Sequence, residues 1–213
     1  MAIIENGATS TQAKVEVGSF RTTLVPRGDT YAVSAVTGTV GAALVANSSV
    51  FAMRLDPSSA RLAFIERIRL QYTTIVAYTT PITAGRRLAL FRGSGAAAGG
   101  GTAITAAVSK STTSPLSEFN TAQGGDMRVA TTGALTVTGI TFEADPIRTM
   151  SLVHVGNAGN YAESLWEFHA SECAPVVLQP GQLLAIRNPA AMDAAGTWQL
   201  VVNVDWHEAV ALA

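Results

Sequence analysis

Nine residues near the C-terminal end, 198–206, alternate without a break. Trp198, Leu200, Val202, Val204 and Trp206 fall on one side. Gln199, Val201, Asn203 and Asp205 fall on the other, and His207 continues that second set. A period of two is the mark of a strand with one buried and one solvated face. Upstream, the apolar run LLAI at 183–186 lies between Pro180-Gly181 and Asn188-Pro189. Both dipeptides form turns, because proline presets φ and glycine accepts a positive one. Residues 175–209 therefore read as strand, loop at 189–196, strand. That is either a large hairpin or a unit crossing between the sheets of an antiparallel protein.

The same period recurs along the chain. Tyr31, Val33 and Ala35 alternate before Gly38, and Phe51, Met53 and Leu55 alternate before Asp56-Pro57. The stretch FIERIRLQYTTIVAY, from Phe64, begins ambiguously, since Leu62, Ile65 and Arg69 have helical spacing. Its continuation favours a strand, with Ile68, Leu70, Tyr72, Thr74 and Val76 on one face and many β-branched residues. Residues 88–91, 135–142, 152–155 and 165–170 are further strand candidates. Many short strands punctuated by Gly and Pro predict an all-β, antiparallel β-sandwich, jelly-roll-like, as a single domain over residues 13–213. Residues 1–12 are polar and aperiodic, and are expected to form a flexible N-terminal arm. Two stretches, GSGAAAGGG at 93–101 and the Ser-, Thr- and Gly-rich 109–126, are expected as long surface loops.

Composition narrows the function classes. A chain of 213 residues can bury one ample core. Charged residues are only 14% and hydrophobic ones 48%, which suits a surface that meets other protein, or simply a large core. A net charge of −1 argues against a nucleic-acid partner, which calls for a basic patch. Of the fourteen basic residues only Lys14 and Lys110 are lysines. Arginine suits interfaces through its planar, weakly hydrated fork, although the abundance of Ala and Gly makes genomic base composition the simpler reading. The lone Cys173 excludes an intrachain disulfide framework and any multi-cysteine metal site. No cation neighbours it in Glu172-Cys173-Ala174-Pro175, so it reads as a small buried side chain. The first residues lack a basic, apolar leader pattern, and no apolar run has membrane-spanning length. The expectation is a soluble chain made in the cytoplasm, with no membrane partner.

Motifs for chemistry fall short one by one. After the glycine-rich stretch come Thr102, Ala103 and Ile104, so the lysine of a phosphate loop is missing, and Gly93, Gly95 and Gly99 miss the dinucleotide spacing by one residue. His207-Glu208 begins a zinc-protease pattern, but Ala211 stands where its second histidine would. His154, His169 and His207, with Glu163, Glu167 and Glu172, could form a cupin-type metal site, yet the paired histidines of a cupin are absent around His154. No G-x-S-x-G elbow exists, while paired carboxylates of glycosidase type stay open at this level. Arg27-Gly28-Asp29 and Asn47-Ser48-Ser49 spell short adhesion and glycosylation motifs that recur by chance. No catalytic, cofactor-binding or metal residue is assigned, and a structural or binding role is expected over an enzymatic one.

A pattern of another kind remains. Pro180-Gly181, then Leu184-Ala185-Ile186-Arg187-Asn188, then Ala195-Gly196-Thr197, and finally Val204 through Trp206 to Glu208, resembles the C-terminal end of a group of tailed-bacteriophage virion structural proteins. A weaker likeness covers residues 63–91, ending in AGRRLAL. The similarity spans about a third of the chain. It implies a β-sandwich particle component located in the virion, of the capsid-decorating (cement) or head-attached type. The partners it implies are the major capsid protein or other virion proteins, and a homotrimer is the expected assembly. The alternative is a fibre- or spike-like module that binds host-surface carbohydrate, for which Trp166 or Tyr161 would have to line a groove. Deleting residues 1–12 is expected to leave a folded domain with weakened particle binding, read as occupancy on gels of reconstituted particles; undiminished occupancy would remove the arm from attachment.

Overall fold

In the computed structural model the described residues are 3–5, 12–14, 29–41, 43–78, 85–105, 107–110, 115–152, 161–168, 175–192 and 195–210. Two antiparallel sheets pack face to face as a sandwich. One contains six strands, in the order β12 (Tyr161–Glu167), β5 (Arg61–Val76), β15 (Thr197–Val210), β3 (Asp29–Val36) and β8 (Val108–Ser109), with β13 (Val176–Leu178) also paired to β5. The other contains seven, in the order β10 (Ile140–Phe142), β6 (Arg86–Gly95), β14 (Gln182–Asn188), β4 (Ser48–Arg54), β9 (Asp126–Val129) and β7 (Thr102–Ala103), with β11 (Arg148–Leu152) also paired to β6. The expected all-β sandwich is the observed architecture. Residues 175–209 form a crossing unit and not a hairpin, since β14 and β15 lie in different sheets.

The alternation of β15 sets the core. Trp198, Leu200, Val202, Val204 and Trp206 are all buried, and the intervening residues are half-buried on the outer face. Trp206 stacks on Tyr31 at 5.8 Å and meets the edge of Phe119 at 5.3 Å, while Trp198 packs against Tyr72 at 5.2 Å. Such aromatic pairs add specificity to the area they bury. Across the sandwich lie Leu88 and Leu90 of β6, Met53 of β4, and Leu184 and Ile186 of β14, all within the same core cluster.

Strand β5 explains why its sequence looked half helical. Ile65 pairs with Trp206 and Arg67 with Asp205, so Glu66 is an extra residue opposite a single step of β15. This β-bulge stretches the inward spacing from two residues to three, between Ile65 and Ile68, and it leaves Glu66 and Arg67 both exposed. A second register shift, opposite Thr197/Trp198, corrects the expected face at the strand end. Thr74 is buried as expected, but Val76 is 54% exposed.

One other expectation changes. Residues 93–101 are not simply a surface loop: Gly93, Ser94 and Gly95 complete β6 and pair with β10, and Gly99 bridges Thr136. Glycine is needed for close approach, because a Cβ on Gly95 or Gly101 would lie 2.3 Å from the carbonyl oxygen of Gly139 or Val129. Within residues 1–14, β1 (Ile3–Glu5) pairs with β2 (Gln12–Lys14) in a ladder that joins neither sheet and straddles the expected boundary at residue 12. Of the 109–126 stretch, residues 115–125 are a loop with one 3-10 turn at Thr121–Gln123, but not wholly a surface one, since Ser117, Phe119 and Asn120 are buried.

Val202 sits at the centre of the inward row with no exposure. A buried, unpaired carboxylate there costs about 3–5 kcal/mol or more, a large part of the ~5–15 kcal/mol margin of a domain. Val202→Asp is therefore expected to abolish soluble, folded expression; a variant with the wild-type circular dichroism and melting temperature would refute this facing.

Candidate functional site

The outer face of the six-stranded sheet carries its chemistry in rows set by strand register. Asn203 of β15 stands between Ser34 of β3 and Arg69 of β5, and Leu165 of β12 follows Arg69. The neighbouring row is Ala32, Asp205, Arg67 and Glu167, and the row on the other side is Val36, Val201, Gln71 and Glu163. The short side chains Ala32, Ser34 and Asn203 leave the middle of the face low. Arg67, Arg69, Glu163 and Leu165 stand along it, and the result is an open groove of about 620 Å³. A second hollow of about 320 Å³ adjoins it, sharing Arg67 and Asp205 and reaching Phe168, Pro175 and His207.

The charges on these walls are already matched. Asp205 receives Arg67 twice on Oδ2, from Nε at 2.7 Å and from the terminal nitrogen at 2.6 Å, and Lys110 on Oδ1. Burial works to raise the Asp205 carboxyl, but hydrogen bonds from Lys110 and Arg67 outweigh it, and the net shift is downward. Glu163 accepts from Arg69 Nε on one oxygen and from the Tyr161 hydroxyl on the other. The Arg69 bond, then the Tyr161 bond, lowers the Glu163 carboxyl below its ordinary range. His207 lies flat on Phe64, with ring centroids 4.7 Å apart, and its Nδ1 is 3.0 Å from Glu66.

The residues singled out from sequence distribute unevenly. Trp166 is buried in the core at 6% exposure, so it cannot line a groove, because β12 turns it inward opposite Ile68. Tyr161 is 52% exposed on the outer face. Glu163 and Glu167 share that face, and His207 shares it through β15. His154, His169, Glu172, Cys173, Arg27 and Gly28 lie outside the described residues. Asp29 opens β3 and pairs with Arg61 at 2.7 Å. Asn47 occupies a turn at φ 66°, where its carbonyl accepts from Arg187, and Ser49 is buried. Among the described residues no three His, Cys, Asp or Glu side chains converge as metal ligands would. Sequence reasoning missed Arg67, Arg69, Lys110 and Asp205 as a network. The available signal was weak: three polar residues opposite an apolar face, with no indication of register.

Glu208, also unforeseen, is the charged group most completely removed from solvent among the described residues. It ends the inward row of β15, where its Oε1 accepts from Ser117 Oγ at 2.6 Å and Trp206 Nε1 at 3.0 Å, and its Oε2 from the Glu118 amide at 3.1 Å. These donors tie the 115–125 loop to the strand, assisted by the Tyr31 hydroxyl on the Pro115 carbonyl. Burial raises the Glu208 carboxyl, and the three hydrogen bonds only partly oppose it. A closed-in, fully bonded carboxylate of this kind holds structure together.

No family model matches the chain, and no curated protein matches it.

Glu208→Ala strands three donors and is expected to destabilise by about 1–3 kcal/mol or more in urea unfolding. The pH sign follows from the upward shift. A folded-state pKa above the unfolded one gives stability that is present below the unfolded carboxylate value and lost as pH rises through the folded one. The stability of Glu208→Gln relative to wild type should therefore increase with pH across that window. A flat difference would show that Glu208 titrates alike in both states.

Proposed function

We propose that this chain is a structural subunit of a bacteriophage particle, a capsid-decorating protein that stabilises the shell by protein contacts as a homotrimer. The C-terminal resemblance carries the reading, and the strand order supports it as far as the fold. The run β3-β15-β5-β12 faces the run β4-β14-β6-β11, and the successive steps β3 to β4, β4 to β5, β5 to β6, β11 to β12 and β14 to β15 pass between sheets. Eight strands so ordered support a jelly-roll reading of the sandwich, with β7, β8, β9 and β10 added between β6 and β11. Jelly rolls serve in viral capsids, lectins and cupins, so the fold alone names no function. The C-terminal resemblance tips the choice toward virions. Its residues coincide with structural positions: Pro180-Gly181 form the turn into β14, with Gly181 at φ 77°, and Gly196, at φ 96°, precedes β15. Repeated, symmetric association suits a rigid module of this kind.

The test adds purified protein to particles assembled without it and measures occupancy by gel and electron microscopy, with the mass of the free protein taken by native mass spectrometry. Saturable attachment and a trimer mass are expected. No attachment would sink the virion role, and a monomer that attaches fully would remove the trimer.

A further inference from the structure

We propose that the groove on the outer face of the six-stranded sheet binds a neutral oligosaccharide through Asn203, Ser34, Arg69 and Glu163. Its volume of about 620 Å³ falls in the range of small-molecule sites, and it is open to solvent. The floor is made by Ala32 and Ser34 beside Asn203, so a ring can settle between the taller side chains of β5 and β12.

The electrostatics select against an ionic ligand. The four charged side chains that line the groove sum to zero, Arg67 pairing with Asp205 and Arg69 with Glu163, while Lys110, outside the lining, also reaches Asp205. An anion or cation would have to displace a partner, whereas a polyol adds to positions still open. A guanidinium has five N–H groups and a carboxylate about four lone-pair sites, and the pairs use only some of each. Asn203 contributes an amide with two donors and one acceptor carbonyl, and its row places it directly between Ser34 and Arg69. Adjacent donors and acceptors in planar groups match the vicinal hydroxyls of a sugar. Tyr161 is the outward residue of β12 next to Glu163, is half-exposed, and is fixed by its hydroxyl on Glu163. It lies outside the lining and acts on the groove only by fixing Glu163. A protein segment would favour apolar pockets, and Leu165 is the one large aliphatic side chain turned outward along the walls.

The inference does not rest on the virion reading, since attachment to particles and glycan binding are measured separately. The probes are two panels of immobilised tri- to hexasaccharides, one built from neutral hexose and N-acetylhexosamine units and one sialylated or sulfated, with a peptide library as a third arm. Binding to a neutral member is expected, nearly constant between about 0.05 and 0.5 M salt, because no ionic contact is screened. Ser34→Trp, which fills the floor from an exposed position, and Asn203→Leu should each weaken it roughly tenfold or more, with unchanged melting temperatures. If Ser34→Trp lowers the melting temperature, Asn203→Leu decides. Binding to no neutral member, binding to acidic members alone with steep salt dependence, a peptide preference, or variants that bind like wild type would each overturn the proposal.

Discussion

Everything in this sandwich hangs on the inward row of one strand. β15 lies between β5 and β3, and its two tryptophans mark the ends of the hydrophobic layer. Between them, Leu200, Val202 and Val204 are aliphatic and fit beneath the opposite sheet without the polar atoms that would need partners. Because side chains alternate, fixing this row fixes its complement. The outward residues Gln199, Val201, Asn203, Asp205 and His207 are delivered to one surface whether or not they stabilise the fold. The core row thus dictates where chemistry can be displayed.

That display is long-range in origin. Arg67 and Asp205 are separated by 138 residues, and Arg69 and Glu163 by 94. They meet because β5 has β12 on one side and β15 on the other. Exposed pairs of this kind add little stability individually. Their larger effect is on the surface itself, which carries many ionic groups yet shows little unmatched charge. The other sheet has arginine–carboxylate pairs too, Arg92 with Glu143 and Arg128 with Asp126, but there Arg187 lies over Phe142 at 3.9 Å and Phe91 at 5.1 Å, a cation on aromatic faces.

What could be read in advance follows the range of the forces involved. The facing of β3 and of β15 was legible, since a period of two is local and neither inward row is interrupted. The first half of β5 was not, because a bulge is defined by its partner strand, and Glu66 looks like any other residue until Trp206 and Asp205 are placed beside it. The glycines at 93–101 were mistaken for slack, although two of them mark places where another backbone comes too close for a Cβ. Trp166, which the carbohydrate-binding alternative would have needed at a surface, is buried, and its neighbours Leu165 and Glu167 are the exposed ones. The groove was illegible altogether, since its floor and walls come from four strands distant in sequence.

The bulge at Glu66 has an evolutionary consequence. Adding or removing one residue in a regular strand inverts every side chain beyond it, which is why strands in sandwich cores resist changes of length. At this position the parity is already offset. Loss of Glu66 would leave Ile65 and Ile68 inward and Arg67 outward, with the ladder to β15 made regular. At this bulge a single-codon deletion or reinsertion is therefore neutral for the core and acts only on the surface beside His207. Length variation among relatives, where it enters this strand, should gather at its two register shifts.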